Sequence, residues 1–155
     1  EMAANGFVWR YNLSGGRPLI HTFYMKDTET LTEGDMMNVE TGEVDLAVTT
    51  DAVLAGAFVG PFDPKAATDG QPGVVAGTDS TTLVKVIVNP DAVYGCFDAN
   101  ARQPGATLDI TGATGAQTVA ASVNTEVVVV ERKQQTADET RVMIIQANHY
   151  LVKAL

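Results

Sequence analysis

The 155-residue chain has one cysteine, two histidines and only ten basic residues against nineteen acidic ones. A lone thiol, Cys96, excludes a disulfide scaffold. The opening segment Glu1-Met2-Ala3-Ala4-Asn5-Gly6 lacks the basic start and apolar core of a signal peptide, so synthesis in a reducing cytoplasm is expected. Without a secretion signal, the Asn12-Leu13-Ser14 triplet is read as a chance sequon. A net charge of −9 excludes the basic footprint that nonspecific nucleic-acid binding needs. The longest clean aliphatic run, Val127 to Val130, is far short of the roughly 18 residues that span a bilayer, so no membrane partner is expected.

Catalytic patterns are missing too. His21 and His149 each sit inside an apolar or aromatic segment, away from any candidate nucleophile, and are read as packing or surface residues. No clustered Cys, His and carboxylate spacing suggests a metal, and no cofactor is expected. Cys96, between Gly95 and Phe97, reads as a small buried hydrophobe and not as an activated thiol. Thr111-Gly112-Ala113-Thr114-Gly115 is glycine-rich but has no following Lys-Ser or Lys-Thr, so it reads as a turn and not as a phosphate loop. Asp27, Glu29, Glu33 and Asp35 miss the calcium-loop spacing and are expected on a solvated face, as are Asp138 and Glu139. Catalytic, cofactor-binding and metal residues are therefore all expected to be none, and the chain is not expected to be an enzyme.

What the sequence does have is a period of two. Phe7, Trp9 and Tyr11 alternate with Val8 and Arg10; Leu19, His21, Phe23 and Met25 alternate with Ile20, Thr22 and Tyr24. Gly34 to Val39, a Glu40-Thr41-Gly42 turn and Glu43 to Val48 predict a hairpin. Asp51 to Gly60, small and apolar with two glycines, is read as a tightly packed strand. Leu83 to Val88 reads as a strand ended by Asn89-Pro90-Asp91, with Ala92 to Phe97 as its expected neighbour. Thr107 to Ile110 and Thr118 to Val123 flank a turn, and Glu126 to Arg132 returns through Thr140 to Ala147. Hydrophobic residues at 45% and charged residues at 19% suit one globular domain of this length.

The expected fold class is all-β: a compact β-barrel or β-sandwich of short antiparallel strands. Residues 1–16 are expected as an N-terminal arm. Residues 17–155 are expected as a single β domain, with a long irregular Gly/Pro-rich loop at 60–82.

The order Gly34-Asp35-Met36-Met37-Asn38-Val39, Glu40-Thr41-Gly42-Glu43-Val44, Asp51 to Ala57, a Gly/Asp/Pro loop and Val84 to Tyr94 resembles the head decoration, or capsid cement, proteins of tailed bacteriophages. The similarity spans roughly residues 34–147 and is one of strands and turns. It implies a homotrimeric virion structural protein that binds the major capsid protein on the capsid exterior and stabilises the expanded head. It carries over no active-site residue. The chain is too short to resemble the major capsid protein itself. Trimeric dUTP-hydrolysing enzymes share its size but not its motifs. The alternative reading is a carbohydrate-binding or adhesive β module of a phage tail or cell surface, for which Trp9, Tyr11, Tyr24, Tyr94 and Tyr150 are the available aromatic platforms.

Overall fold

A computed structural model describes residues 6–26, 29–51, 53–68, 71, 73–76, 82–121, 123–133 and 138–153, with backbone alone for 132, 133 and 153. Thirteen strands are seen among them: β1 Phe7–Asn12, β2 Ile20–Met25, β3 Thr30–Thr32, β4 Met36–Glu40, β5 Glu43–Leu46, β6 Leu54–Pro61, β7 Val74–Ala76, β8 Leu83–Ile87, β9 Ala92–Phe97, β10 Thr107–Thr111, β11 Thr118–Ala121, β12 Val127–Lys133 and β13 Glu139–Ile144. Short 3₁₀ turns at Pro64–Ala66 and Gln146–Asn148 and one helical turn, α1, at Tyr150–Lys153 complete the described chain. The all-β expectation holds, and the arrangement combines both forms named for it. Strands β2-β5-β4-β6-β8 close a barrel, and a six-stranded sheet ordered β1-β9-β13-β12-β10-β11 lies against it.

Strand β6 serves both layers through a break in its alternation: Met37 pairs with Gly56 but Asn38 with Leu54, a register shift that turns successive side chains to either layer. In β6, Ala55 and Phe58 fill the barrel with Met25, Met37, Val44, Val84 and Val86. Leu54 and Ala57 face outward and join Met36, Ile87, Tyr94, Ile110, Val127 and Ile144 beneath the sheet. The sheet's Tyr94 reaches the barrel at Gly56, whose φ is +149°. A Cβ there would lie 1.9 Å from the Ile87 carbonyl oxygen and 2.6 Å from the Tyr94 hydroxyl. Only glycine permits both the backbone angle and the approach.

Both ends of the barrel are filled. β3 and β7 form a two-stranded ribbon that sends Leu31 and Val75 into the barrel core. At the end where β2 and β6 begin, Tyr150 and Leu151 pack in, and Tyr150 meets Phe23 edge to face with centroids 5.6 Å apart. His149 is buried, with its Nε2 2.9 Å from the Ala55 carbonyl and its Nδ1 accepting the Leu151 N–H. That pattern fixes the neutral tautomer with the proton on Nε2.

Three expectations are corrected. Residues 1–16 are not an arm throughout: Phe7–Asn12 is the edge strand β1, paired with β9, and Phe7 is buried under the sheet. Its alternating aromatics have a core to enter, which outweighs the flanking glycines. The 60–82 stretch is not wholly irregular, because Val74–Ala76 pairs with Thr30–Thr32 and Val75 is buried. Residues 69, 70, 72 and 77–81 lie outside the described residues. Finally, β8 and β9 are not partners. The chain leaves the barrel at Asn89-Pro90-Asp91, and β9 pairs with β1 and β13. A tight turn between two runs predicts a hairpin only when both strands belong to one sheet.

The other segments fall as expected. β4 and β5 pair across Glu40 and Glu43, and β12 returns along β13 from Val127 opposite Ile144 to Lys133 opposite Glu139.

Candidate interaction surface

The side chains with most chemical capacity are held in internal bonds. Cys96 is buried, its thiol points 3.5 Å from the Thr140 carbonyl, and burial pushes its pKa up to about 12. His21 is exposed, with Nδ1 3.3 Å from the Tyr150 hydroxyl. Burial lowers the pKa of His149.

The acidic cluster does not stay together on a solvated face. Asp27 lies outside the described residues, Glu29 is half-buried and Glu33 is exposed. Asp35 is buried and accepts bonds from Thr32 N–H, Thr114 Oγ1 and Gly115 N–H. It therefore pins the 111–116 turn to the start of the barrel. Burial is the main influence on its carboxyl and raises its pKa despite those bonds.

Glu139 also departs from the expected solvated position. It is buried in β13 and paired with Arg10 of β1 at 2.7 Å, across the intervening strand β9. The pair crosses above Gly95, where a Cβ would lie 1.9 Å from Glu139 Oε1. Arg141 continues the row: it bonds Glu131 at 2.8 Å and stacks over the Tyr11 ring at 5.7 Å, while the Tyr11 hydroxyl donates to Glu131. Arg10, Glu139, Arg141 and Glu131 form a charge-balanced band on the sheet's outer face.

Among the buried polar residues not singled out from the sequence, three tie elements together or lie buried beside a strand. Asp109 accepts the consecutive N–H groups of Val123, Asn124 and Thr125. Gln117 accepts from Met36 N–H and donates to the Ala47 carbonyl, joining sheet to barrel. Glu126 accepts the Ile110 N–H at 2.6 Å through Oε2, and its buried Oε1 meets no donor at hydrogen-bond distance among the described residues. Burial first, then the nearby Asp109 and Asp51 charges, push its pKa up to about 7. The available signal was a carboxylate or amide set directly beside an apolar strand: Leu108-Asp109-Ile110, Glu126-Val127 and Gln117-Thr118-Val119.

Among the described residues no group of three or more His, Cys, Asp or Glu is placed to hold a metal. No helix among them is long and apolar enough to cross a membrane.

The large apolar side chains that remain exposed among the described residues are not spread evenly. Ten large apolar side chains of the described residues are exposed. Of these, Ile20 (44%) and Tyr24 (49%) share the outer face of β2, Phe62 (59%) sits beside Leu83 of β8, and Leu13 (56%) and Leu19 (48%) lie by the turn that follows β8. Register explains the gathering: Ile20 is opposite Ile87, Thr22 opposite Lys85 and Tyr24 opposite Leu83. Phe62 N–H bonds the Leu83 carbonyl, which sets Phe62 at one end of the strip, over a cleft of about 280 Å³ lined with Asp63, Ala66, Thr82 and Leu83. Asn89 and Asp91 take the N–H groups of Leu19 and Leu13 and set them at the other end.

A groove of about 430 Å³, lined by Val8, Trp9, Val59 and Ile87 among others, separates β1 from the barrel. Of the aromatic platforms weighed above, Tyr94 is buried, Trp9 and Tyr11 are partly buried in the sheet, Tyr150 plugs the barrel, and Tyr24 alone is exposed. No family model, curated protein or solved structure matches this chain.

Proposed function

We propose that the protein is a virion structural protein that binds the outer surface of a phage capsid, in contact with the major capsid protein, and stabilises the expanded head. The observation that carries this reading is the set of exposed apolar side chains at β2 and β8, Ile20, Tyr24 and Phe62, on an acidic, all-β body. Such a face is what an interaction partner covers. A net charge of −9 suits the outside of a shell better than its DNA-lined interior, where like charges repel. The resemblance to head decoration proteins supports the same reading and implies a homotrimer.

The physical mechanism is linkage. A protein that binds only the expanded shell stabilises it by about 2.7 kcal/mol per site at a hundredfold excess over Kd. Over many equivalent sites, modest contacts sum to a large effect. Particles lacking the protein should release DNA at a lower temperature than complete particles, and adding the protein back should restore the difference. Equal release temperatures would remove the cementing role and leave the adhesive reading as the better one.

A further inference from the structure

The connection that leaves β5 for β6 is a joint between barrel and sheet. Thr49 Oγ1 donates to the Ile110 carbonyl near the end of β10, and Gln117 Nε2 donates to the Ala47 carbonyl. Residues 48–51 close on themselves, with the Asp51 N–H on the Val48 carbonyl and the Val48 N–H on the Asp51 carboxylate. Glu126, at the entry to β12, is fully buried against this joint. Ile110 holds both sides of it, giving its N–H to Glu126 Oε2 and accepting Thr49 at its carbonyl. Glu126 Oε1 is buried and meets no donor at hydrogen-bond distance among the described residues. Such an oxygen is costly to bury when the carboxyl is ionised and far less so when it is protonated.

The charged groups acting on Glu126 are acidic from both elements packed on it: Asp109 from β10 and Asp51 from the turn. Asp109 is already held by the N–H groups of Val123, Asn124 and Thr125. Behind Asp51 stand Asp45 and Glu40, and the opposing effect of Lys26 there is the weakest of the group. The 146–148 turn contributes neutral Asn148, bonded to the Thr125 carbonyl, and the His149 ring is turned to Ala55 and Leu151. Two N–H groups favour the ionised carboxyl, those of Ile110 and Asp51, and the second already bonds Val48. No described cation is among the groups acting on it.

We propose that Glu126 is a pH-sensitive latch of this joint: protonated, it keeps the 48–51 turn closed over β10, and ionised, it lets the turn lift away while barrel and sheet stay folded. The turn is the element that yields. Leu108, Ile110 and Val127 fix β10 and β12 in the core, whereas Val48 and Thr50 are exposed and the turn is tied to the sheet by side-chain bonds. The sign follows from linkage. The carboxyl is raised to about 7 in the closed joint and returns to its ordinary range once the joint opens. Closure is therefore strongest below the ordinary carboxylate range, weakens as pH rises toward 7 and levels off above it.

Solution NMR of the full chain tests this at one amide, Ile110 N–H. Its chemical shift reads the protonation of Glu126, and its hydrogen exchange, corrected for the intrinsic rate, reads opening of the joint. In the wild type the shift should titrate with a midpoint near 7, and protection should fall about tenfold or more between about pH 5 and 7. That exchange should be insensitive to low urea, as for a local opening, while the barrel amide of Val88 loses protection steadily as urea is added. Glu126→Gln should abolish both the inflection and the pH dependence of protection at Ile110. Asp51→Asn, which removes the turn's charge and needs no change at Glu126, should lower the midpoint and keep the joint closed to higher pH.

A wild-type Ile110 shift without an inflection between about pH 5 and 8 would overturn the proposal. So would a shift that titrates while protection stays constant, or a pH dependence that survives Glu126→Gln. Equal urea dependence at Ile110 and Val88 would replace the latch with unfolding of the whole chain. If Glu126→Gln does not fold, Asp51→Asn decides alone: an unmoved midpoint and unchanged protection would remove the turn from the latch.

Discussion

The barrel interior and the sheet that lies against it solve the same burial problem with different chemistry. Inside the barrel the packing is almost wholly apolar, with Met25, Met37, Phe58, Val84 and Val86 at its centre and one neutral histidine at the plug. The sheet buries polar and charged groups as well: Asp109, Gln117, Glu126, Glu139 and Thr140. A closed barrel satisfies its backbone by strand pairing around the ring, leaving little for side chains to do. An open sheet must be tied down at its turns, and here Asp109 and Gln117 supply the ties. The difference teaches where each region is vulnerable. The barrel is sensitive to volume and backbone angle, whereas the sheet is sensitive to charge state.

The largest expected effect tests the point where the two regions touch. Gly56→Ala should cost roughly 3 kcal/mol or more, or prevent folding, because the new Cβ meets backbone at 1.9 Å. Gly42→Ala is the matched control: its φ is +83° but nothing lies within 4 Å, so only about 1–2 kcal/mol of left-handed strain is expected. Thermal melting of the two variants separates clash from strain. Equal losses would mean that the close approach of Gly56 to the β8 backbone and to Tyr94 is not tight.

Next in size is Asp109→Ala, which strips the acceptor from three N–H groups and should cost about 1–3 kcal/mol. Urea melts should show it. Amide exchange should rise first at Val123, Asn124 and Thr125, not in the barrel.

The sharpest form of the comparison is pH. Glu126 has its folded pKa raised to about 7, above its unfolded value. Its contribution is therefore full below the ordinary carboxylate range and is lost as pH rises toward 7. Asp35 and Asp51, both raised mainly by burial, act in the same direction. His149 has its folded pKa lowered by burial. Its contribution is present above about 6.5 and is lost as pH falls through the folded value. The sheet should thus weaken on the alkaline side and the barrel plug on the acid side. Glu126→Gln should flatten the decline in melting temperature between about pH 4.5 and 7, and His149→Gln should flatten the acid limb below about 6.5. A Glu126→Gln profile that parallels wild type would show that this carboxyl is not what makes the sheet charge-sensitive.

The smallest effect belongs to Cys96. Cys96→Ala should cost about 1 kcal/mol through lost packing, with no change on adding reductant. A larger loss that depends on reductant would give the thiol a role that burial does not predict.

Much of this fold was legible in the chain. Alternation placed β2 and β5, and β-favouring runs bounded by turn residues placed β4, β8, β9, β10, β12 and β13, close to their observed bounds. The same alternation was visible from Phe7 to Tyr11. Assigning that stretch to an arm gave too much weight to the flanking glycines and too little to Phe7, Trp9 and Tyr11. Val74 and Val75 were hidden between turn residues, since a three-residue strand leaves no measurable period. For the surface, Tyr24 was one of five aromatic candidates, and its grouping with Phe62 was not visible. Thirty-eight positions separate the two, and the Leu83 register brings them together.

Composition and periodicity by themselves determined an all-β body of high net negative charge, with no long apolar segment and its histidines and thiol set in apolar runs. Those properties depend on residue type and local spacing, which the chain states directly. Only the tertiary structure decided which strands share a sheet and that Asn89-Pro90-Asp91 is a crossing and not a hairpin. It alone decided that Asp35, Glu126 and Glu139 are buried and that Tyr24 and Phe62 are brought to one place at Leu83. Each of these depends on pairing between residues far apart in sequence, and the local pattern of a strand is the same whichever partner it finds.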